Sequence, residues 1–380
     1  MSLKPLVDNI RRSGALKNTS VGEANHGAFM RRVEVTANLS PRVWDALKVL
    51  LDVEPQLLRA AWSDCSLRGR GYYVTTIQHP TTQKLRALHI PSIPVREVQR
   101  RILTQVLYQL PISPAAYGGV PKRSYVHAAR VHLSQPGELL QMDVRDAFRS
   151  TSYGELSRYL RRALKQQLWV LELSRQERKI IVGWLTHLMV VSPEGGRYPT
   201  LPLGTPTSVG AFNALWAPID AEIERAALKL CGEGLRYTRY VDDLVFSHPN
   251  ALSPDLEGAV MRVLSDHGYE LNRQKTRGAS RDEAVVHGLS WREGGLSLPE
   301  GAVLKTAQRA HRIQALLNGH PTERDWREAA QLLTELEMIG RQVYNGGPRP
   351  QGLTLSEELI AEIKRHSERP LPRWADELWG

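Results

Sequence analysis

The 380-residue sequence predicts an α+β fold. Three observations predict it. Two short alternating runs, Leu235–Arg239 and Leu244–Ser247, bracket Tyr240-Val241-Asp242-Asp243, the pattern of a β-hairpin. A further strand-like run, Leu139 to Val144, carries Asp143 near its end. Between and beyond these, long stretches place apolar residues three and four apart, as helices do.

Residues 1 to about 60 read as a helical lead-in, with Ser40-Pro41 as cap and first-turn pair and Trp44, Leu47 and Leu51 as an apolar stripe. Gly71 to Ile77 alternates and Lys84 to Pro91 returns, with a turn at Pro80-Thr81-Thr82-Gln83. A helix follows over Val95–Tyr108, with Val98, Ile102, Val106 and Leu107 facing a core. Its Arg96, Arg100 and Arg101 gather elsewhere, a basic face that either meets nucleic-acid phosphates or is plain solvated charge. Ala116 to Ser124 is Gly-rich and carries Lys122 and Arg123, which suits a flexible loop making backbone contacts to a template strand. A short helix, Ala128–His132, precedes the strand that ends on Asp143.

Beyond Phe148 the chain reads as helical to Val191, then as loop from Pro193 to Pro202. The next helix has Thr205 as N-cap, Pro206 at its start and an apolar face of Phe212, Leu215, Trp216, Ile219 and Ile223. After the hairpin, a helix ends near Asp266-His267-Gly268 and Leu271–Lys275 follows. Leu304–Asn318 and the series Ala329, Leu332, Leu333, Leu336, Ile339, Val343 mark two amphipathic helices. Asn345 to Pro350 is a turn or linker before a short C-terminal helix, and no separate nuclease, protease or integrase domain is expected.

The length allows two or three subdomains around large cores. With 50 Lys+Arg against 40 Asp+Glu, the net charge of +10 suits a polyanionic partner. Cys65 and Cys231 form neither a disulfide framework nor a zinc motif, and a reducing cytoplasm is the expected setting. Met1 to Thr19 is polar and basic, without the apolar segment of a signal peptide. The longest apolar stretch, Ile180 to Val191, is too short to span a bilayer, so no membrane partner is expected.

An Asp-Asp pair in a turn is ordinarily just solvated. Two adjacent anions repel, however, unless a cation sits between them, and the oxygen-seeking candidates are Mg²⁺ and Mn²⁺. Asp143, Asp242 and Asp243 together would hold two metal ions for in-line phosphoryl transfer.

The ordered set of motifs resembles the reverse transcriptases. Asp143 with Phe148 five residues on matches the family's first catalytic motif. Leu201-Pro202-Leu203-Gly204-Thr205-Pro206-Thr207-Ser208, with Asn213 beyond it, matches its Leu-Pro-x-Gly-x-Pro-x-Ser motif. Tyr240 to Asp243 matches its Tyr-x-Asp-Asp box. The resemblance runs from about Lys84 to Tyr344 and implies a right-hand polymerase with fingers, palm (antiparallel sheet plus helices) and helical thumb. The expected division is 1–62 helical N-terminal extension, 63–290 fingers and palm, 291–345 thumb and 346–380 C-terminal tail helix. Within the family, Ala128-Ala129-Arg130-Val131-His132 is similar to the Asn-Ala-x-x-His signature of retron enzymes, and Val286-His287-Gly288 to their Val-Thr-Gly. Ala128 and His287 depart from those signatures, as does Leu203 where the family commonly has Gln.

The resemblance also implies roles. Asp143, Asp242 and Asp243, with the Val144 carbonyl, would bind two Mg²⁺ ions, or Mn²⁺, and Lys275 would protonate the departing pyrophosphate. Lys84 and Arg86 would lie over the incoming dNTP, Phe148 would exclude a 2′-hydroxyl, and Gly204 and Tyr240 would complete the nucleotide site. Arg100, Arg101, Lys122, Arg123 and the thumb residues Lys305, Arg309 and Arg312 would contact nucleic acid. Trp291, on a primer-grip-like hairpin, either packs beside the primer terminus or closes the core. The implied activity is RNA-directed DNA synthesis on a partner noncoding RNA, as in retron msDNA synthesis for antiphage defence, with a separate effector protein as a further partner. The alternatives are a bacterial defence reverse transcriptase that primes differently and an RNA-binding scaffold with weakened synthesis.

Overall fold

A computed structural model describes residues 39–67, 71–78, 85–192, 198–292, 295–319, 321–344 and 355–366. The lead-in before residue 39, the turn at 80–83, Lys84, Gly195-Gly196, the linker at 345–350 and the tail beyond 366 lie outside the described residues. The chain divides into two compact units, the first built from Met1–Ala116, Val144–Arg225 and Val260–Leu271, the second from Tyr117–Asp143, Ala226–Ala259 and Asn272–Gly380.

In the first unit, β1 (Tyr72–Gln78) and β2 (Leu85–Pro91) form an antiparallel hairpin with Tyr72 opposite Pro91. Helix Pro41–Leu51 starts as the Ser40-Pro41 pair predicts, with Val43 N–H donating to Ser40 Oγ at 3.4 Å and Val43, Leu47 and Leu51 buried. Trp62 and Trp184 stack at 5.7 Å, and Trp44 meets Trp184 edge-on at 6.3 Å. The single helix expected over 95–108 has three parts: α-helix Ile93–Arg101, a π-helical turn Ile102–Val106 and a 3₁₀ turn Leu107–Gln109. The helical stretch after Phe148 is likewise divided, into Ala147–Ser150, Tyr153–Ala163, Lys165–Val170 and Arg175–Met189. Two capping boxes, Ser152 with Glu155 and Ser174 with Glu177, start new helices there.

The helix expected to begin at Pro206 runs from Ser208 to Cys231. Ala211 N–H donates to the Thr207 carbonyl at 2.8 Å, and Thr205 Oγ1 bonds Ser208 Oγ at 2.7 Å. Thr205 therefore braces a preceding turn rather than capping the helix.

The second unit is built on a four-stranded antiparallel sheet in the order β4-β5-β3-β6. Its strands are β3 (Glu138–Asp143), β4 (Arg236–Tyr240), β5 (Asp243–His248) and β6 (Arg277–Ser280). Helix Tyr125–Leu133, capped by Ser124, packs on β4 and β5. Its Val126, Ala129 and Leu133 join Leu139, Val245, Val286 and Leu289 in one apolar core. A small hairpin of β7 (Ser290–Arg292) and β8 (Gly295–Ser297) leads to helices Glu300–Leu317, Glu323–Tyr344 and Glu357–His366. The first of these starts at Glu300 rather than Leu304, because the Pro299 carbonyl already accepts from Ala302 and Val303 at 2.8 and 2.9 Å. Ala310, Ile313, Ala329, Leu333, Leu336 and Ile363 give these helices a core of their own. Among the described residues, no helix is long and apolar enough to cross a membrane.

Candidate active site

Antiparallel register brings two of the predicted carboxylates together. Asp143 is the last residue of β3, Asp243 is the first of β5, and the two are directly opposite each other. Tyr240 pairs with Asp243 across a two-residue turn made by Val241 and Asp242. Val241 has φ +58°, a left-handed conformation that a β-branched side chain rarely adopts. The surroundings hold it there. The buried Arg239 donates from Nη1 to the Val241 carbonyl at 3.0 Å, and Tyr117 N–H donates to the Arg239 carbonyl at 2.8 Å. Gly118 lies against the turn so closely that a Cβ there would sit 2.7 Å from Val241 Cγ2 and 2.9 Å from its nitrogen. The Gly-rich loop thus supports the carboxylate turn.

Both oxygens of the buried Asp143 are engaged from the turn at 272–275. Asn272 Nδ2 donates to Oδ1 at 3.1 Å and Lys275 Nζ to Oδ2 at 2.7 Å. The Asn272 N–H also donates to the Asp143 carbonyl at 2.7 Å. Partial burial pushes Asp243 up to about 6, with the charges of Asp242 and Asp143 adding to it and Lys275 and Arg277 opposing it. His287 stands alongside, with Nδ1 3.9 Å from Asp243 Oδ2 and its ring 5.1 Å from that of Tyr240. Burial lowers its pKa to about 4. Asp143, Asp243, Lys275, Arg277 and His287 line a cavity of about 440 Å³.

Among the described residues, no three His, Cys, Asp or Glu side chains are gathered closely enough to hold a metal ion. The donor chemistry nevertheless fits a hard divalent cation. The candidate ligands are carboxylate oxygens, and burial first, then the charges of Asp242 and Asp143, raises Asp243.

Comparison with known proteins gives the site its context. Residues 77–310 match the model of the family described as reverse transcriptase (RNA-dependent DNA polymerase). The chain belongs to that family. The Retron Mx65 reverse transcriptase of Myxococcus xanthus is 31% identical over 214 residues, 54% of this chain and 48% of that protein. The Retron Mx162 reverse transcriptase of the same organism is 29% identical over 262 residues, 65% of this chain and 52% of that protein. The chain spans about half the length of these curated relatives. A solved telomerase from Candida albicans, in complex with a telomeric RNA fragment, overlaps 78% of this chain and 59% of its own, at 13% identity and TM-score 0.40. The mixed fold, with a central antiparallel sheet and flanking helices, agrees with the fingers, palm and thumb arrangement of reverse transcriptases.

The sequence-predicted residues of this reverse transcriptase domain fall into two groups. Asp143, Asp242, Asp243, Tyr240 and Lys275 come together in the second unit, which also holds Lys122, Arg123, Trp291, Lys305, Arg309 and Arg312. Lys122 is exposed with φ +65°, and Arg123 stacks over Tyr117 at 5.6 Å. Trp291 is half-buried against the second-unit core. Lys305 is exposed, whereas Arg309 pairs with Glu335 and Arg312 with Glu328, each at 3.2 Å. The first unit holds Val144, Arg86, Arg100, Arg101, Phe148 and Gly204. Val144 follows Asp143 directly and bridges to Leu271. Arg86 is exposed on β2, Arg100 pairs with Glu97 at 3.0 Å, and Arg101 pairs with Asp52 at 3.3 Å. Phe148 meets Phe212 edge-on at 5.5 Å. Gly204 has φ +97° and abuts Leu88, where any Cβ would clash at 2.4 Å.

Sequence reasoning missed Gly118, Asn272, Arg277 and His287 as neighbours of the site. Asn272 carried a signal, a polar residue three positions before Lys275 in a turn that follows a helix. His287 carried another, its place in Val286-His287-Gly288, the stretch similar to the retron Val-Thr-Gly, though that pointed to no neighbour.

Proposed function

We propose that the chain is an RNA-directed DNA polymerase that copies a partner noncoding RNA into DNA. The observation that carries the reading is Asp143 opposite Asp243, with Asp242 beside them, within a reverse transcriptase domain. The retron names of two relatives support an RNA partner of the retron kind. An effector protein and antiphage defence are part of the same proposal. The departures at Ala128 and His287 favour a second reading, a bacterial reverse transcriptase with a different priming partner.

Asp143, Asp242, Asp243 and the Val144 carbonyl would hold two Mg²⁺ ions, or Mn²⁺. Bound there, the metal supplies Lewis-acid activation of the primer 3′-hydroxyl and neutralises charge on the triphosphate. Asn272 orients Asp143 by its two hydrogen bonds to that residue. Lys275 carries the proton that the departing pyrophosphate takes up. Phe148 crowds the sugar and selects dNTPs, while Arg86, Gly204 and Tyr240 complete the nucleotide site. Lys122, Arg123, Lys305, Arg309 and Arg312 hold the phosphate backbone. The division into extension, fingers and palm, thumb and tail at residues 62, 290 and 345 belongs to the same reading.

The test is extension of a DNA primer on an RNA template by the purified protein with dNTPs and Mg²⁺. Parent protein should extend the primer. Asp242→Asn and Asp243→Asn should not, while keeping the parent's circular dichroism spectrum. Synthesis by either variant contradicts the reading.

A further inference from the structure

The Val286–Leu289 segment is a tight turn with an unusual occupant. Val286 and Leu289 exchange both backbone hydrogen bonds, at 2.8 and 2.9 Å, and both are buried in the second-unit core. The two residues between them, His287 and Gly288, have φ of +49° and +80°. Two successive positive φ values define the tight hairpin turn that favours Asn, Asp or Gly. Histidine tolerates the left-handed region better than most side chains, but at a cost. The turn therefore fixes the imidazole on a rigid stem.

That imidazole points at the carboxylate turn. Its side chain is 6% exposed, its ring lies 5.1 Å from Tyr240's, and Nδ1 faces Asp243 Oδ2 at 3.9 Å. Nε2 is buried with no hydrogen-bond partner among the described residues. An orphaned N–H is rarer and costlier than an orphaned lone pair. The neutral tautomer that fits is the one with the proton on Nδ1, aimed at Asp243.

We infer that His287 is a positioning residue of the polymerase site, holding the polar edge of its ring beside Asp243, in a contact longer than a hydrogen bond, and bracing Tyr240 so that the Val241-Asp242 turn keeps its geometry. The inference rests on the polymerase reading of the same site. His287 acts through Asp243 on cation binding and on the chemical step, and contributes little to capture of the nucleotide.

Two variants keep the turn's backbone. His287→Gly accepts the positive φ and removes the donor, whereas His287→Asn accepts it and returns an N–H near the Nδ1 position. Calorimetric titration with Mn²⁺ alone is the first readout, and primer extension with kcat and KM for dNTP is the second. His287→Gly should bind Mn²⁺ about tenfold more weakly and lose about tenfold in kcat, with KM for dNTP within about twofold of the parent. His287→Asn should regain most of both, with thermal midpoints of all three proteins alike. Equal Mn²⁺ binding by the three proteins overturns the inference, as does an Asn variant no better than the Gly variant. If the Mn²⁺ order holds but the parent makes no DNA, the polymerase reading fails, and His287 stands only as a positioning residue of the cation site.

Discussion

Lys275 Nζ lies 2.7 Å from Asp143 Oδ2, so the residue expected to supply a proton is tied to the carboxylate at the end of β3. The pair is asymmetric: the Asp143 side chain is 9% exposed and that of Lys275 is 55% exposed. An ion pair this open on one side is worth about 1 kcal/mol or less. Its significance is therefore positional, because it stations an ammonium at the rim of the carboxylate cavity.

Replacing Lys275 tests that role. Lys275→Gln keeps length and polarity but has no titratable proton to give. It should lower kcat about 100-fold, in the range of a lost general acid, with the thermal midpoint nearly unchanged. Steady-state extension assays and a melting curve check this together. Unchanged kcat would assign Lys275 to charge balance alone.

The contact of Gly118 with Val241 predicts a different failure. Gly118→Ala places a methyl group 2.7 Å from Val241 Cγ2 and 2.9 Å from its backbone nitrogen, so the carboxylate turn must shift. Overpacking should cost about 2 kcal/mol of stability. A displacement of the turn by about 1 Å should slow catalysis about 100-fold. Urea denaturation and extension rates measured on one preparation would show both, and an alanine variant with full activity would mean that the turn tolerates displacement.

His132 gives a pH prediction away from the carboxylates. Its ring is fully buried, with Nδ1 bonded to Ser247 Oγ and Nε2 to Thr238 Oγ1, both at 2.7 Å. Burial first, then the His287 and Arg236 charges, lower its pKa from 6.5 to about 3. The folded state therefore resists protonation that the unfolded state accepts. The stabilisation is complete above about pH 6.5 and is lost progressively as the pH falls toward 3. His132→Ala should cost about 2 kcal/mol at pH 7.5, because it strands two hydroxyls. The gap between parent and variant in urea midpoint should narrow at pH 5. A gap independent of pH would mean that the ring titrates alike in both states.

Phe148 should act on the choice of nucleotide. Phe148→Ala should raise ribonucleotide incorporation about tenfold or more relative to dNTP, with dNTP use reduced modestly. Competition assays with rNTP and dNTP measure the ratio directly, and an unchanged ratio would remove Phe148 from sugar selection.

These residues also show what was legible in the chain. Asp143 and Asp243 were readable because alternating strands fix where β3 stops and β5 starts, and their register then makes them neighbours. Lys275 was readable as the end of the Leu271–Lys275 stretch to which the resemblance gives a role, but its partner was not. A surface lysine carries no sign of which carboxylate it will meet. Gly118 and Val241 lie far apart in sequence, and no periodicity couples a loop glycine to a strained turn. The π-helical turn at Ile102–Val106 left a trace that went unread: Val98, Ile102 and Val106 recur in steps of four, longer than the helical 3.6, and a widened turn keeps them on one face. Helices Glu300–Leu317 and Glu323–Tyr344 were plain from their apolar spacing. The pairing of Arg309 and Arg312 with Glu335 and Glu328 depends on how two helices register, which their separate patterns do not specify.

The most direct test is to purify the protein from cells carrying it with its native flanking DNA and to sequence the bound nucleic acid, using Asp242→Ala/Asp243→Ala as control. The account predicts one structured RNA in both preparations, with DNA complementary to it only where the carboxylates are intact. Templated DNA from the double variant, or no bound RNA in the parent, would contradict it.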